Sequence, residues 1–350
     1  MLLFVVAGLA LAISGCTTPT PTPTTTPSEK PTVTPEPKAW RWGTIDPASY
    51  GYKVSALFVD AIKDDMKKLR NIDFAIIPYS TTTANIKGFC KGEVDSTYIG
   101  GPGFKELYTS TGGFANFTCE RMPVQSFWAY TMKTFLLIPK EKANEIKSWK
   151  DLEGKTVYLT PAGYMNYINI NEALKIVGVN VTHREVDSKF VCNALQEGTI
   201  VATALYTTGT ATLPTWGQQL SISCGANLVP LNPSPEEREK LTKAGKLLVE
   251  IDAKVYGGEG KVYGIPFFFG FHVGKAMPEE DVYTMLKILE SKAKDLAAAD
   301  AGLKPLENFA EFQYDGVKTM DPKLVPIHPG LAKYLKEKGL WESEWDAYIA

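Results

Sequence analysis

The sequence predicts an α/β fold of two lobes, each built on a parallel-rich sheet with helices on both faces. Two observations predict it. From Trp40 onward, short apolar runs alternate with amphipathic runs of helical spacing, and the same alternation starts again around Pro139. The second series is inserted into the first, so lobe one is built from two separate segments of the chain and lobe two from one. We expect lobe one at residues 40–133 and 262–350, and lobe two at residues 134–261.

The first series has the order strand, helix, strand, helix, strand. Apolar alternation predicts strands at Trp40–Ile45, Asp73–Tyr79 and Ser96–Ile99. A helix is expected at Tyr52–Leu69, where apolar side chains recur on one face, and a shorter one from about Thr83. This order is typical of parallel strands connected by helices.

The second series and the return of the chain repeat this pattern. The expected strands are Phe135–Pro139, Thr156–Leu159, His183–Val186, Val201–Leu205 and Ile265–Val273, and the expected helices are Tyr164–Val177, Lys189–Gln196 and Pro278–Ala298. In open parallel sheets the ligand site lies beyond the carboxyl ends of the strands. The strand-to-helix junctions are therefore the places to search for a function.

The N-terminus predicts export. Leu2–Ile13 is a run of 12 apolar and small residues. This length suits a signal peptide and is too short to cross a membrane as a helix, which takes about 20 residues. Its ending, Ile13-Ser14-Gly15-Cys16, looks like a lipobox, although no Lys or Arg precedes the run. We expect residues 1–15 to be a signal peptide and Cys16 to carry a lipid. An ordinary cleaved signal peptide is the alternative.

The segment that follows is composed almost entirely of Thr and Pro. Such a composition buries no apolar face and favours an extended, hydrated chain. We therefore expect residues 16–39 to be a tether that holds the folded part at the outer face of the cell membrane.

Composition excludes several other classes. The chain has 44% hydrophobic residues, 22% charged residues and a net charge of −2, so nothing indicates a nucleic-acid partner. Its three histidines, His183, His272 and His328, are widely separated, and neither a G-x-S-x-G serine loop nor a phosphate-binding loop is present. We expect a monomer that is not an enzyme and that binds neither a cofactor nor a metal.

The four cysteines after Cys16 predict disulfides, because an even number in an exported protein is typical of them. Three pairings are possible. We prefer Cys90 with Cys119 and Cys192 with Cys224, since each bond then closes a loop within one lobe. Free buried thiols are the alternative.

Four strand-to-helix junctions are rich in hydroxyl, small and aromatic residues, at 44–52, 80–85, 160–166 and 207–212. Hydroxyls at helix starts can cap the helix, and free N–H groups there favour an anion. Capping or core packing alone would explain any single junction, whereas four together favour a pocket for a small polar or carboxylate solute. The candidate ligand-binding residues are Thr44, Ser49, Tyr52, Thr82, Asn85, Thr160, Tyr164, Asn166, Thr208 and Thr210.

Several segments resemble the TAXI family, the solute receptors of one class of TRAP transporters. Gly43-Thr44 through Tyr52 is similar to its first glycine-rich loop, and Gly92-Glu93-Val94-Asp95 is similar to its G-E-x-D element. Residues 146–155 and 194–198 resemble its I-x-S-L-x-D-L-x-G-K and A-L-x-x-G segments. His328-Pro329-Gly330 is similar to its near-terminal H-P-G.

The resemblance implies a two-lobed, type II periplasmic-binding-protein-like fold and a receptor that serves integral-membrane transporter subunits. Asp46, Pro47 and Ser49 replace family glycines, and Tyr164-Met165-Asn166 replaces Ser-Gly-Thr. Bulkier side chains predict a pocket of altered shape.

A receptor for an ATP-driven importer, or a sensor with the same fold, is the alternative. We expect the lobes to close on the ligand through the chain crossings near Phe135 and Ile265.

Overall fold

The computed structural model describes residues 38–47, 49–209 and 212–350. The predicted signal peptide, the lipid site at Cys16 and the ligand residue Thr210 lie outside the described residues, as does nearly all of the tether. One correction concerns the end of the tether. The first strand begins at Lys38, whose N–H donates to the carbonyl of Asn71 at 2.9 Å, so residues 38 and 39 belong to the sheet.

The described residues form eleven strands and ten α-helices. The strands are β1 (Lys38–Thr44), β2 (Ile72–Pro78), β3 (Ser96–Gly100), β4 (Pro123–Val124), β5 (Trp128–Pro139), β6 (Thr156–Tyr158), β7 (Thr182–His183), β8 (Ala202–Thr208), β9 (Leu228–Pro230), β10 (Val249–Asp252) and β11 (Lys261–Gly274). The helices are α1 (Tyr50–Arg70), α2 (Thr82–Cys90), α3 (Gly101–Tyr108), α4 (Met165–Val177), α5 (Val191–Gln196), α6 (Thr215–Cys224), α7 (Pro235–Lys243), α8 (Glu279–Ala299), α9 (Phe309–Met320) and α10 (Pro329–Glu337). Within this part of the chain, no helix has the length and apolarity needed to cross a membrane.

One sheet runs through the molecule in the order β2-β1-β3-β11-β5-β8-β6-β7. Strands β1, β2 and β3 are parallel to one another, as are β6, β7 and β8. The long strands β5 and β11 join these two groups and are antiparallel to each other and to their outer neighbours. The predicted α/β fold class is confirmed.

Several strand predictions were wrong in extent, and two of them have a clear physical reason. Strand β5 begins at Trp128 rather than at Phe135, and ten of its twelve residues are buried. A strand covered on both faces shows no alternation, so its first half was not recognised. Conversely, the strand expected at His183–Val186 is only Thr182–His183, because it lies at the sheet edge.

The buried side chains form three clusters. The largest contains β1, α1, β3, α8 and α10 residues together with Trp128–Met132 and Phe267–Val273. The other two are built from residues between Phe135 and Ile265. The clusters therefore meet along the long strands β5 and β11. That the two sides move as separate lobes stays a prediction.

The structure joins Cys90 to Cys119 and Cys192 to Cys224. This is the pairing preferred from the sequence. The first bond links the last residue of α2 to the loop before β4, and the second links α5 to the end of α6. Each bond therefore fixes a loop on one side of the two long strands.

Candidate ligand-binding site

A small cavity lies where α1, α2 and α4 begin. Its volume is about 10 Å³, close to the minimum that one water molecule needs. None of the residues that line it carries a charge. They are Ile45, Ser49, Tyr50, Gly51, Thr82, Tyr98, Met132, Tyr164, Met165, Asn166, Tyr206 and Phe269.

Three helix N-termini converge on this cavity. Ser49 caps α1, and its Oγ accepts a hydrogen bond from the N–H of Tyr52 at 3.1 Å. Thr81 caps α2, and its Oγ1 accepts from the N–H of Ala84 at 3.1 Å. Helix α4 follows Tyr164, whose side chain makes no capping hydrogen bond. Unpaired N–H groups and helix dipoles make each such end attractive to negative charge. The cavity therefore favours an anionic or hydrogen-bond-accepting group without any cationic side chain.

Aromatic rings form the cavity walls. Tyr98 stacks on Phe269 with the ring centroids 4.0 Å apart, and its phenol shares a hydrogen bond with that of Tyr130. Tyr206 lies beside them with an exposed fraction of 5%. Burial raises the pKa of Tyr98, Tyr130 and Tyr206 above the usual range. These phenols stay protonated and can both donate and accept hydrogen bonds.

Tyr50 connects the cavity to a buried carboxylate. Its phenol donates to Asp300 at 2.8 Å, and Asp300 also accepts from Lys53 Nζ at 2.6 Å and from the N–H of Gly302 at 2.7 Å. The hydroxyl of Thr208 contacts the same phenol. Burial and the Asp300 carboxylate raise the pKa of Tyr50 above its usual range. This network fixes the ring of Tyr50 at the start of α1.

The segments on either side of the cavity are in contact. The carbonyl of Gly163 accepts hydrogen bonds from the N–H and the hydroxyl of Thr83 at 3.2 and 3.1 Å. Met165 packs so closely on Gly103 that a Cβ there would lie 2.5 Å from the Met165 sulfur. A solute larger than a water molecule can enter only if these segments separate. The arrangement is thus a closed one.

The structure brings four of the predicted residues to the cavity: Ser49, Thr82, Tyr164 and Asn166. The side chain of Asn166 accepts a hydrogen bond from the Thr134 hydroxyl at 2.8 Å. Its position in the first turn of α4 leaves its backbone N–H at the helix start.

Three predicted residues do not line this cavity, and their role in ligand binding stays a prediction. Thr44 accepts a hydrogen bond from Ser55 at 2.8 Å, which fixes β1 against α1. Asn85 accepts from Thr97 Oγ1 and from the N–H of Tyr98, both at 2.8 Å, and so ties α2 to β3. Tyr52 lies half-buried on α1 outside the cavity.

Thr160 and Thr208 do not line the cavity. Thr208 donates to the carbonyl of Thr212 at 3.1 Å. Thr160 is fully buried, has φ = 72°, and its hydroxyl has no hydrogen-bond partner among the described residues. A β-branched residue in the left-handed region is strained, and such strain concentrates at functional loops.

Sequence reasoning missed Tyr98, Met132, Tyr206 and Phe269. All four lie inside strands rather than in the strand-to-helix junctions from which the candidate residues were predicted. Tyrosines within otherwise apolar strands were the available signal. Among the described residues, no group of His, Cys, Asp or Glu is arranged to hold a metal.

The sequence profile of the NMT1-like family matches residues 48–339, which include every cavity-lining position except Ile45. The chain belongs to the NMT1-like family. Its fold is the type II fold of periplasmic solute-binding proteins. No curated protein matches its sequence.

Solved structures similar to this NMT1-like protein share little sequence with it. The ligand-binding core of GluR0 in complex with L-glutamate is 15% identical, covering 78% of this chain and 98% of that one, with a TM-score of 0.44. A putative L-cystine ABC transporter protein from Listeria monocytogenes is 13% identical, covering 74% and 94%, with a TM-score of 0.41. The alkanesulfonate-binding protein SsuA from Xanthomonas axonopodis pv. citri, bound to MOPS, is 11% identical, covering 91% and 96%, with a TM-score of 0.44.

Proposed function

We propose that this protein is an extracytoplasmic receptor that captures a small polar or carboxylate solute and delivers it to integral-membrane transporter subunits. The convergence of three helix N-termini on a neutral, tyrosine-lined cavity carries the proposal. Helix N-termini are ready-made sites for carboxylates, and the phenols supply further donors. The solute would lie between Ser49 and Thr82 on one side and Tyr164 and Asn166 on the other.

Capture requires an opening of the cavity. Residues 40–133 and 262–350 would separate from residues 134–261 by bending where β5 and β11 cross between them, near Phe135 and Ile265. The contacts between Thr83 and Gly163 then re-form around the bound solute. Closure of this kind excludes water, which strengthens hydrogen bonds to the ligand.

The proposal has two forms, which differ in the class of membrane transporter that the receptor serves. The resemblance of the glycine-rich loop, the G-E-x-D element and the terminal His-Pro-Gly to the TAXI family supports a receptor of a TRAP transporter. Membership of the NMT1-like family fits a receptor of an ATP-driven importer equally well. Reconstitution of the receptor with its membrane subunits distinguishes them: a TRAP partner requires an ion gradient, whereas an importer of the second class hydrolyses ATP.

Solute binding is tested by a thermal-shift screen of amino acids, dicarboxylates and aromatic acids. A ligand at 100 times its Kd stabilises the folded state by about 2.7 kcal/mol. Thr82→Val removes a cavity hydroxyl without changing the shape of the side chain. It should lower the affinity for the best ligand by about five-fold. Thr242→Val, on the exposed side of α7, is the matched control. Equal affinities of the two variants would place the solute elsewhere, and turnover of the solute would instead indicate an enzyme.

Lipid attachment at Cys16 would keep the receptor at the membrane. We expect the wild-type protein to remain in the membrane fraction and a Cys16→Ser variant to be released. Metabolic labelling with a fatty acid should mark only the wild type. Release of both proteins would favour an ordinary cleaved signal peptide.

A further inference from the structure

A second cavity, of about 390 Å³, lies beside Pro266–Phe268 of β11. It shares no lining residue with the candidate solute cavity. One wall comes from α3 and α9, and the opposite wall comes from α4 and the loop after α7. Small-molecule sites typically measure about 300–1,000 Å³ and occur preferentially where two parts of a protein meet.

The floor of this second cavity is apolar. Trp128 and Phe268 lie edge to face with their ring centroids 6.0 Å apart, and Pro102 and Met320 add to the surface. Leu247 stands at the rim with an exposed fraction of 63%. This leucine extends the apolar surface of the cavity beyond Phe268.

A polar cluster occupies the other side. Lys246 Nζ contacts Glu172 Oε2 at 2.6 Å and Asn169 Oδ1 at 3.4 Å, and its side chain is only 15% exposed. Lys105 pairs with the second oxygen of Glu172. Asn169 is fixed in turn, because its Nδ2 donates to the carbonyl of Ile265 at 3.1 Å.

The charges in this cluster do not balance. Lys105 and Lys246 are two cations that share the single carboxylate of Glu172 among the residues lining the cavity. The N-terminus of α3, at Gly101 and Pro102, also lies in the wall and has no side-chain cap. Both features leave an excess of positive potential next to an apolar floor.

We propose that this cavity is a second small-molecule site, which binds a compact aromatic or aliphatic molecule bearing one anionic group. The apolar body covers Phe268 and Leu247, and the anionic group pairs with Lys246 and Lys105. This inference goes beyond the proposed function, because the second cavity shares no residue with the cavity proposed for the captured solute. Its walls come from both sides of the predicted lobe boundary, so the site is complete in the closed arrangement.

The test uses the full-length protein and 8-anilinonaphthalene-1-sulfonate, an aromatic anion whose fluorescence rises in apolar surroundings. We expect saturable binding of one probe molecule. Lys246→Met keeps the apolar stem but removes the cation, and it should weaken binding by about five-fold or more. Lys240→Met is the matched control, since Lys240 is an exposed lysine that pairs with Glu236 along α7. Its affinity should equal that of the wild type.

A second variant tests the proposal independently, in case Lys246→Met does not fold. Thr319 is exposed at the cavity wall, so Thr319→Trp should fill the space without disturbing the core. Its circular dichroism should match that of the wild type while probe binding disappears. Non-saturable fluorescence, equal affinities of the two lysine variants, or retained binding in a folded Thr319→Trp protein would each overturn the proposal.

Discussion

The phenol of Tyr50 donates a hydrogen bond to the carboxylate of Asp300, a residue 250 positions later in the chain. The bond ties the first turn of α1, at the candidate cavity, to the turn that follows α8. Gly302 completes the contact, since a Cβ at that position would lie 2.1 Å from the Tyr50 hydroxyl. A cavity-wall residue is therefore positioned by a segment that no local sequence pattern connects to it.

Tyr50→Phe should destabilise the protein by about 2 kcal/mol, because hydrogen bonds to charged groups contribute more than neutral ones. Asp300 keeps Lys53 and the N–H of Gly302 as partners, so the fold should persist. Urea denaturation followed by circular dichroism measures the change. Tyr52→Phe, two positions along the same helix, is the control and should change stability by less than about 0.5 kcal/mol. Equal effects of the two variants would contradict a role for the Asp300 contact.

The two disulfides should each stabilise the folded protein. Their cysteines are separated by 29 and 32 residues, and loops of this size predict a stabilisation of about 2–4 kcal/mol per bond. We expect the Cys90→Ala/Cys119→Ala double variant to unfold at lower urea concentration than the wild type. Peptide mapping without reduction should recover only the pairs Cys90–Cys119 and Cys192–Cys224. Any other pair would show that the connectivity is wrong.

Local sequence patterns were sufficient to predict most of the helices and strands. The apolar stripe of α1 predicted a helix at Tyr52–Leu69, and the structure has one at Tyr50–Arg70, which Ser49 caps. Helix α8 was predicted at Pro278–Ala298 and spans Glu279–Ala299, with Glu279, Glu280 and Asp281 in its first turn. Caps and amphipathic spacing are local properties, and tertiary structure did not override them.

The cavity was harder to predict because its walls are assembled from distant segments. Ser49, Thr82, Tyr164 and Asn166 lie at helix starts, where a rule about strand ends could find them. Tyr98 reaches the cavity from within β3, and only the pairing of β3 with β11 places it against Phe269. Asn85 follows from the same rule, but its side-chain oxygen accepts a hydrogen bond from the N–H of Tyr98 in β3, and the residue does not line the cavity.

Stability should fall as the pH falls from about 6.5 to about 4, and His328 should be one cause. Its Nδ1 accepts a hydrogen bond from the N–H of Gly330 at the start of α10, and Nε2 then donates to the carbonyl of Met277 at 3.0 Å. Burial lowers the pKa of His328 to about 4. The unfolded chain binds a proton near pH 6.5, whereas the folded chain does not until about pH 4, so acid favours unfolding.

This histidine should account for about 2 kcal/mol of lost stability between about pH 7 and about pH 5. Urea denaturation at several pH values measures the loss. His328→Asn keeps a side chain that can cap a helix and should flatten the pH dependence, although its stability at neutral pH will be lower. Burial also lowers the pKa of His272, so the stability of His328→Asn should still depend on pH to some extent. An unchanged slope in His328→Asn would exclude His328 as a cause.

The ion pair between Lys105 and Glu172 should favour the closed arrangement, because it joins α3 to α4 across the predicted boundary between the lobes. Lys105→Met removes one partner, and Glu172 keeps its contact with Lys246, so no carboxylate is left unpaired. The side chain of Lys105 is 53% exposed, and exposed pairs contribute at most about 1 kcal/mol. Solute affinity should therefore fall by no more than about five-fold.

Small-angle scattering with and without the solute tests whether this loss comes from closure. The wild type should become more compact when the solute binds, and Lys105→Met should need a higher solute concentration for the same compaction. Lys63→Met is the control, since Lys63 pairs with Asp60 within α1 and on one side of the boundary. Its affinity should match the wild type, and high salt should bring the wild-type affinity towards that of Lys105→Met, because salt screens exposed charges. If the solute binds without compaction in the wild type, the two sides do not close and the ion pair has no such role.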